Sequence, residues 1–265
     1  MIAVDCMMLC SFLDACARSL VQSACGDAMG SVPLTRWALE ETATTSALTS
    51  VQAACVRHGG FVARAQRFDA VAFGLSPAEA GAMDPQQRLL LERGYAALHA
   101  AGFSRGALLG ALIAVGVGQW ASEFGSVLMG TPAGCSVYAS TGFSCSVTCG
   151  RVSFVLGLHG PCASYDTACS ASLVALHGGV RALQRLECGS ALSAGVNMIL
   201  DAGFMLGTAT GGFTSVRGRS HTFDARADGY ARGEAVDAFA CRLMDEGMAV
   251  HMVGSAVRQD GRSAS

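Results

Sequence analysis

The chain of 265 residues is long enough for one large domain or two small ones. Its residues are 51% hydrophobic and only 14% charged, so it can bury a large core but has little polar material to cover exposed faces. The formal net charge of −2, with 18 scattered Lys and Arg, gives nucleic-acid binding no electrostatic support.

Twelve cysteines raise the question of disulfides or a metal, yet no C-x-x-C or paired His motif is present, so no metal site is assigned. Cysteines in apolar runs behave as small hydrophobes, and the expectation is buried, reduced thiols in a reducing compartment. The opening residues 1–9 are apolar, but they lack a basic start, and Asp5 and Asp14 interrupt the segment. No apolar run reaches the length of a membrane helix. A cytoplasmic location is expected; a plastid would require a transit segment ahead of this sequence.

Residues 1–30 are the least legible. An extended segment is predicted over 31–37, because Pro33 pushes the residue before it away from helix. Residues 42–50 read as loop. The apolar density of 68–75 predicts a strand. Ser76-Pro77 then fits an N-cap followed by a first helical residue, and Asp84-Pro85 repeats that arrangement, with Gln87 placed to close a capping box. Leu89, Leu90, Tyr95 and Leu98 share helical spacing over 88–101, with Gly102 as the stop. A buried strand is predicted over 108–117, helix over 140–150, a turn at 159–161, strand over 162–166, helix over 172–186 and strand over 191–197. Strands alternating with helices, with no repeat and no dividing linker, argue for an α/β fold.

The chemistry concentrates in Asp166-Thr167-Ala168-Cys169-Ser170-Ala171-Ser172-Leu173. A strand enters a helix across a tight turn of small residues, the geometry of a nucleophile elbow with Cys in place of Ser. The helix start aims unpaired N–H groups and its positive end at Cys169, which favours the thiolate, and the Cys169 N–H is placed to donate to an oxyanion.

With this stretch, three others carry a family resemblance: Phe68-Asp69-Ala70 through Met83-Asp84-Pro85-Gln86-Gln87-Arg88-Leu89-Leu90-Leu91-Glu92, Gly150-Arg151-Val152-Ser153 through Gly160-Pro161, and Thr222-Phe223-Asp224 through Gly229-Tyr230-Ala231-Arg232-Gly233-Glu234. The chain resembles the β-ketoacyl synthase domains of type I polyketide synthases and fatty-acid condensing enzymes, from about Val32 to its end. The resemblance implies a thiolase-like fold, layered α/β/α/β/α in a complete domain, with the N-terminal half present and the C-terminal half missing. It divides the chain into a poorly matched segment, 1–30, and a synthase N-terminal domain, 31–265.

The resemblance also implies a reaction. Cys169 takes an acyl group, and a malonyl-type extender on an acyl carrier protein loses CO2 and attacks the Cys169 thioester. Acyl carrier protein and acyl and malonyl-type thioesters are the implied partners, and residues 161–167 the implied strand of a homodimer interface. The chain itself binds no cofactor; phosphopantetheine is carried by the carrier protein.

This sequence departs from the family in two places. The family's two catalytic histidines belong to later motifs, and none of the six here, His58, His99, His159, His177, His221 and His251, stands in such a motif. The isolated chain is therefore expected to be incompetent for condensation. Ile2-Ala3-Val4 is also a faint match to the family's opening strand.

Two other functions are weighed against this one. The first is a catalytically incomplete remnant acting as a dimerisation or interaction module. The second is a different Cys-dependent acyl enzyme, disfavoured by the motifs after Cys169. Asp84 and Gln87 are assigned to helix capping, the 224–234 loop to an ion-pair and turn network, Trp37 and Trp120 to packing, and Ser170 and Ser172 to the helix start. His177, two turns past Cys169, is expected to point away from it.

Overall fold

A computed structural model describes residues 4–10, 26–37, 48–243 and 251–262. In chain order its strands and helices are β1 (Val4–Cys10), β2 (Gly30–Ser31), α1 (Ser50–Cys55), β3 (His58–Gly59), α2 (Pro77–Ala82), α3 (Pro85–Ala100), α4 (Arg105–Leu108), β4 (Ile113–Gln119), α5 (Phe124–Met129), α6 (Ala139–Gly142), α7 (Cys145–Leu156), β5 (Cys162–Tyr165), α8 (Ala171–Gln184), β6 (Ser190–Asn197), α9 (Ala202–Thr210), β7 (Ala235–Leu243) and β8 (His251–Met252). Among the described residues no helix is long and apolar enough to cross a membrane.

Six strands form one mixed sheet in the order β5-β4-β6-β7-β1-β8. β4 runs parallel to both β5 and β6, whereas β7 pairs antiparallel with β6 and β1. All seven residues of β4 are buried, as a central strand covered on both faces requires. Its side chains alternate between the two faces. Ile113, Val115 and Val117 join the main core with Leu89, Leu90 and Leu98 of α3 and Val152 and Leu156 of α7. Ala114 faces the other way, onto Val180 and Leu183 of α8. Each fully buried Leu or Val of this kind contributes about 1.5–3 kcal/mol.

Glycines set how closely α8 approaches the sheet. A Cβ on Gly118 of β4 would lie 2.3 Å from Ala171 C and Ser172 N, and one on Gly195 of β6 would lie 2.5 Å from Ser172 Cβ. The first turn of α8 therefore rests on bare backbone at the ends of two strands.

The helix starts follow their caps. Ser76 Oγ accepts from Glu79 N at 3.1 Å and Asp84 Oδ1 from Gln86 N at 2.7 Å, each with Pro next in line. Gln87, however, does not close a capping box; its Nε2 reaches across to Thr141 O at 3.1 Å.

Other expectations need correction. Residues 68–75 do not form a strand. Asp69 Oδ1 accepts from Ala72 N at 3.0 Å, a 3-10 turn covers Val71–Phe73, and Gly74 at φ +67° ends it. The apolar residues here build an aromatic stack instead: Phe73 lies 5.4 Å from Phe68, and Arg105 sits over the rings of Phe73 and Tyr95. Of the strand predicted over 108–117, Leu108 ends α4, residues 109–112 form a turn and a short link, and the strand begins at Ile113. The extended 31–37 segment turns at Leu34–Arg36, where Arg36 N donates to Pro33 O at 2.9 Å. Of the faint opening match, Ile2 and Ala3 lie outside the described residues, and Val4 opens β1, which pairs along its length with β7. Of the loop predicted over 42–50, residues 42–47 lie outside the described residues.

Candidate active site

The elbow is built as the small-residue turn requires. β5 ends at Tyr165, and Asp166 Oδ1 accepts from Ala168 N at 3.3 Å. Thr167 O accepts from both the N–H (3.2 Å) and the Oγ (2.9 Å) of Ser170. A single 3-10 turn, Ala168–Ser170, then leads directly into α8. Ala168 holds φ +52°, a left-handed conformation that a side-chain-bearing residue adopts at a cost of about 1–2 kcal/mol. That reversal swings the chain from strand to helix and leaves Cys169 exposed at the corner. Ser170 serves the turn rather than capping the helix: its Oγ bonds back to Thr167. Ser172 packs against Gly195.

Cys169 lines a cavity of about 810 Å³. The other walls are the ends of β4 (Gly118, Gln119, followed by Trp120) and β6 (Gly195, Val196, Asn197), the Tyr230–Gly233 loop, and Ala235, Asp237 and Phe239 of β7. The site thus lies outside the carboxyl ends of the two parallel central strands, where open α/β sheets place their ligands.

The 224–234 loop is held by the ion-pair network that its charge density suggested. Arg232 Nη2 bonds Glu123 Oε1 at 2.8 Å, and its guanidinium lies 5.5 Å from the centre of the Trp120 ring. Glu234 pairs with Arg36 and accepts from Val62 N and Ile199 N. Burial pushes the Glu234 carboxyl up, against the pull of those N–H groups and Arg36. Asp224, only partly exposed, is drawn down to about 2 by hydrogen bonds from the Arg226 side chain and backbone.

The loop also does more than brace the fold, since four of its residues wall the cavity. Trp120 likewise packs edge-on against Phe204 and faces the cavity at once. Neither placement carries a sequence signal, because the strand pairing that brings these segments beside Cys169 is long-range. Trp37 packs against Phe61 as expected. His177 turns to Ser255, its Nδ1 2.8 Å from the Oγ, and burial with Arg181 and Arg258 lowers its pKa. Among the described residues lining the cavity there is no histidine.

Comparison with known proteins points the same way. Residues 13–240 match the family model described as beta-ketoacyl synthase, N-terminal domain. A phenolphthiocerol/phthiocerol polyketide synthase of Mycobacterium tuberculosis is 40% identical over 244 residues, covering 89% of this chain and 16% of that protein. A polyketide synthase of Streptomyces halstedii is 43% identical over 213 residues, 78% of this chain and 4% of that one. Among solved structures, a ketosynthase from module 6 of the bacillaene synthase of Bacillus subtilis 168 superposes with a TM-score of 0.85 at 25% identity, covering 99% of this chain and 45% of its own. An oxazolomycin ketosynthase domain of Streptomyces albus gives 0.75 at 29% identity, covering 91% and 42%. The chain spans under half of each ketosynthase and a small fraction of each curated relative.

Proposed function

The chain belongs to the β-ketoacyl synthase family, with a thiolase-like fold, and from that premise we propose that it carries the acyl-accepting half of a polyketide ketosynthase, with Cys169 as the nucleophile. The single observation behind this reading is Cys169 standing exposed at a strand-to-helix corner and opening onto a cavity large enough for an acyl chain. The Cys169 sulfur attacks the carbonyl of an acyl thioester, the tetrahedral oxyanion forms beside the helix start, and the pantetheine thiolate leaves with the proton that the cysteine gave up. The donor is an acyl carrier protein, whose phosphopantetheine arm presents the thioester. In the complete synthase a malonyl-type extender then loses CO2, and its carbanion displaces Cys169 from the acyl carbonyl.

That second step needs donors for the extender's carbonyl. The described cavity walls present no histidine for it. The isolated chain therefore takes up acyl groups without condensing them. A second reading is a dimerisation or interaction module that makes no product. It is favoured by the exposed edge strand β5 and by exposed apolar side chains such as Phe154 and Leu173.

Intact-mass measurement after incubation with a short acyl thioester separates the two. The first reading expects one acyl adduct, absent from Cys169→Ala. No adduct, or an adduct that survives Cys169→Ala, sinks it. Incubating the acylated chain with a malonyl-loaded carrier protein is expected to yield no β-keto product.

A further inference from the structure

Trp120 follows directly on β4, and residues from other segments fix its ring. Phe204 of α9 meets it at 88°, with the ring centroids 5.9 Å apart. The Arg232 guanidinium lies over it, 5.5 Å from the centroid, and is itself held by the buried ion pair to Glu123. The turn that carries Trp120 is tied as well, because Gln119 Nε2 donates to Ala121 O at 3.2 Å. Packing accounts for the clamped part of the ring but not for the rest. Trp120 stays 36% exposed, and it lines the cavity that Cys169 also lines. Tyr230, 44% exposed, lines the same cavity, and Val196 and Phe239 extend its apolar wall.

We infer that Trp120 is a specificity-determining residue for the acyl group on Cys169, a fixed aromatic surface that selects extended apolar acyl thioesters over acetyl. The inference rests on Cys169 being the acyl acceptor. Its physical basis is reach and preorganisation. An acetyl group ends beside the thioester carbonyl and has no chain to lay against the ring. A longer chain buries methylenes there, and each one buried improves binding about fourfold. Arg232 and Phe204 already hold the ring, so little rotamer freedom is lost when the chain arrives to offset that gain.

The kinetic form of the preference follows from where the contact lies. The ring touches the acyl tail and not the reacting carbonyl, so ground state and transition state share the contact equally. Uniform binding of this kind lowers the half-saturating concentration of thioester and leaves the maximal rate of acylation alone. A residue that only braced the fold would instead lower the rate for every thioester alike.

The test uses the full chain with hexanoyl- and acetyl-N-acetylcysteamine. Single-turnover formation of the Cys169 adduct is followed by intact mass over a range of concentrations of each thioester. The parent chain should half-saturate at a roughly tenfold lower concentration of the hexanoyl thioester, with maximal rates within about twofold of each other. Trp120→Ala should bring the two half-saturating concentrations together, and Trp120→Phe, which keeps an aromatic wall, should retain most of the gap. No adduct with either thioester, or adducts that survive Cys169→Ala, removes the acyl-acceptor reading and this inference with it. Adducts on Cys169 with equal half-saturation for the two thioesters in the parent chain overturn the role of Trp120 alone, as does a gap that persists unchanged in Trp120→Ala. The first of these needs no variant, so a Trp120→Ala chain that failed to fold would still leave the inference open to refutation.

Discussion

Arg232 and Glu123 face each other with Nη2 2.8 Å from Oε1, their side chains only 5% and 4% exposed. The other Glu123 oxygen accepts from Leu200 N at 2.8 Å and Asp201 N at 2.9 Å. One carboxylate therefore ties the segment after β4, the segment after β6 and the loop ahead of β7 into a single wall of the cavity. A buried pair is not automatically stabilising, but breaking one leaves an uncompensated charge. Glu123→Ala should cost about 3–5 kcal/mol of unfolding free energy by that reasoning, read from urea denaturation. Replacing both residues with apolar ones should cost less than the two single changes summed. Strict additivity in that double-mutant cycle would show that the pair does not act as a unit.

A second prediction concerns the seat of α8. The Cβ of Gly118→Ala would fall 2.3 Å from the backbone where Ala171 joins Ser172. Backbone cannot rotate aside as a side chain can, so the helix must lift. Overpacking of this kind costs about 1–3 kcal/mol, and the lifted helix carries Cys169 with it. Gly118→Ala should both lower the urea midpoint and slow Cys169 acylation. By contrast Gly150→Ala, in α7, has nothing within 4 Å and should leave both unchanged or gain helix stability. An acylation rate untouched by Gly118→Ala would mean that the strand ends do not set the position of the sulfur.

The elbow itself supplies a third. Ala168 at φ +52° occupies a region that β-branched residues scarcely enter. Ala168→Val should destabilise by about 1–3 kcal/mol through backbone strain. Ala168→Gly, which relieves the strain but loosens the unfolded chain, should change stability by under about 1 kcal/mol. The measurement is thermal or urea unfolding of the pair of variants beside Cys169 alkylation by a small reagent. Equal stability of the Val and Gly variants would show that the turn carries no strain.

What could be read in advance follows from how local each signal is. The caps at Ser76 and Asp84, the length of α3 and the strand–turn–helix around Cys169 rest on residues within a few positions of one another, and the structure places them close to expectation. The 68–75 segment misleads because apolar density alone reads as strand, whereas Asp69 and Gly74 close a turn and its rings pack sideways against Tyr95 and under Arg105. β1 is hard to see because its register is fixed by β7, more than two hundred residues later. The walls of the cavity are illegible for the same reason. Tyr230, Arg232 and Trp120 meet Cys169 only through the sheet order, which no local pattern encodes.

The last prediction turns on Asp84, which caps α3 while fully buried, accepting from Ser122 Oγ at 2.6 Å and from Gln86 N and Nε2. Desolvation and hydrogen bonding oppose each other here, and desolvation wins: the carboxyl is held above its ordinary 3.8, with the Ser122 and Gln86 bonds only reducing the rise. A carboxyl raised in the folded state binds its proton more tightly there than in the unfolded chain. Its contribution to stability is therefore complete below pH 3.8 and declines as pH rises through the folded value. Asp84→Asn removes that titration but keeps a side-chain oxygen for the cap. Urea unfolding at a series of pH values should show the Asn variant gaining on the parent as pH climbs from below 3.8 toward neutrality. Asp224→Asn should trend the opposite way, because Arg226 holds Asp224 down near 2 and the parent's advantage from it, complete above 3.8, is lost as pH falls through 2. If Asp84→Asn instead loses ground with rising pH, the Ser122 and Gln86 hydrogen bonds outweigh burial, and Asp84 is a stabilising carboxylate at neutral pH.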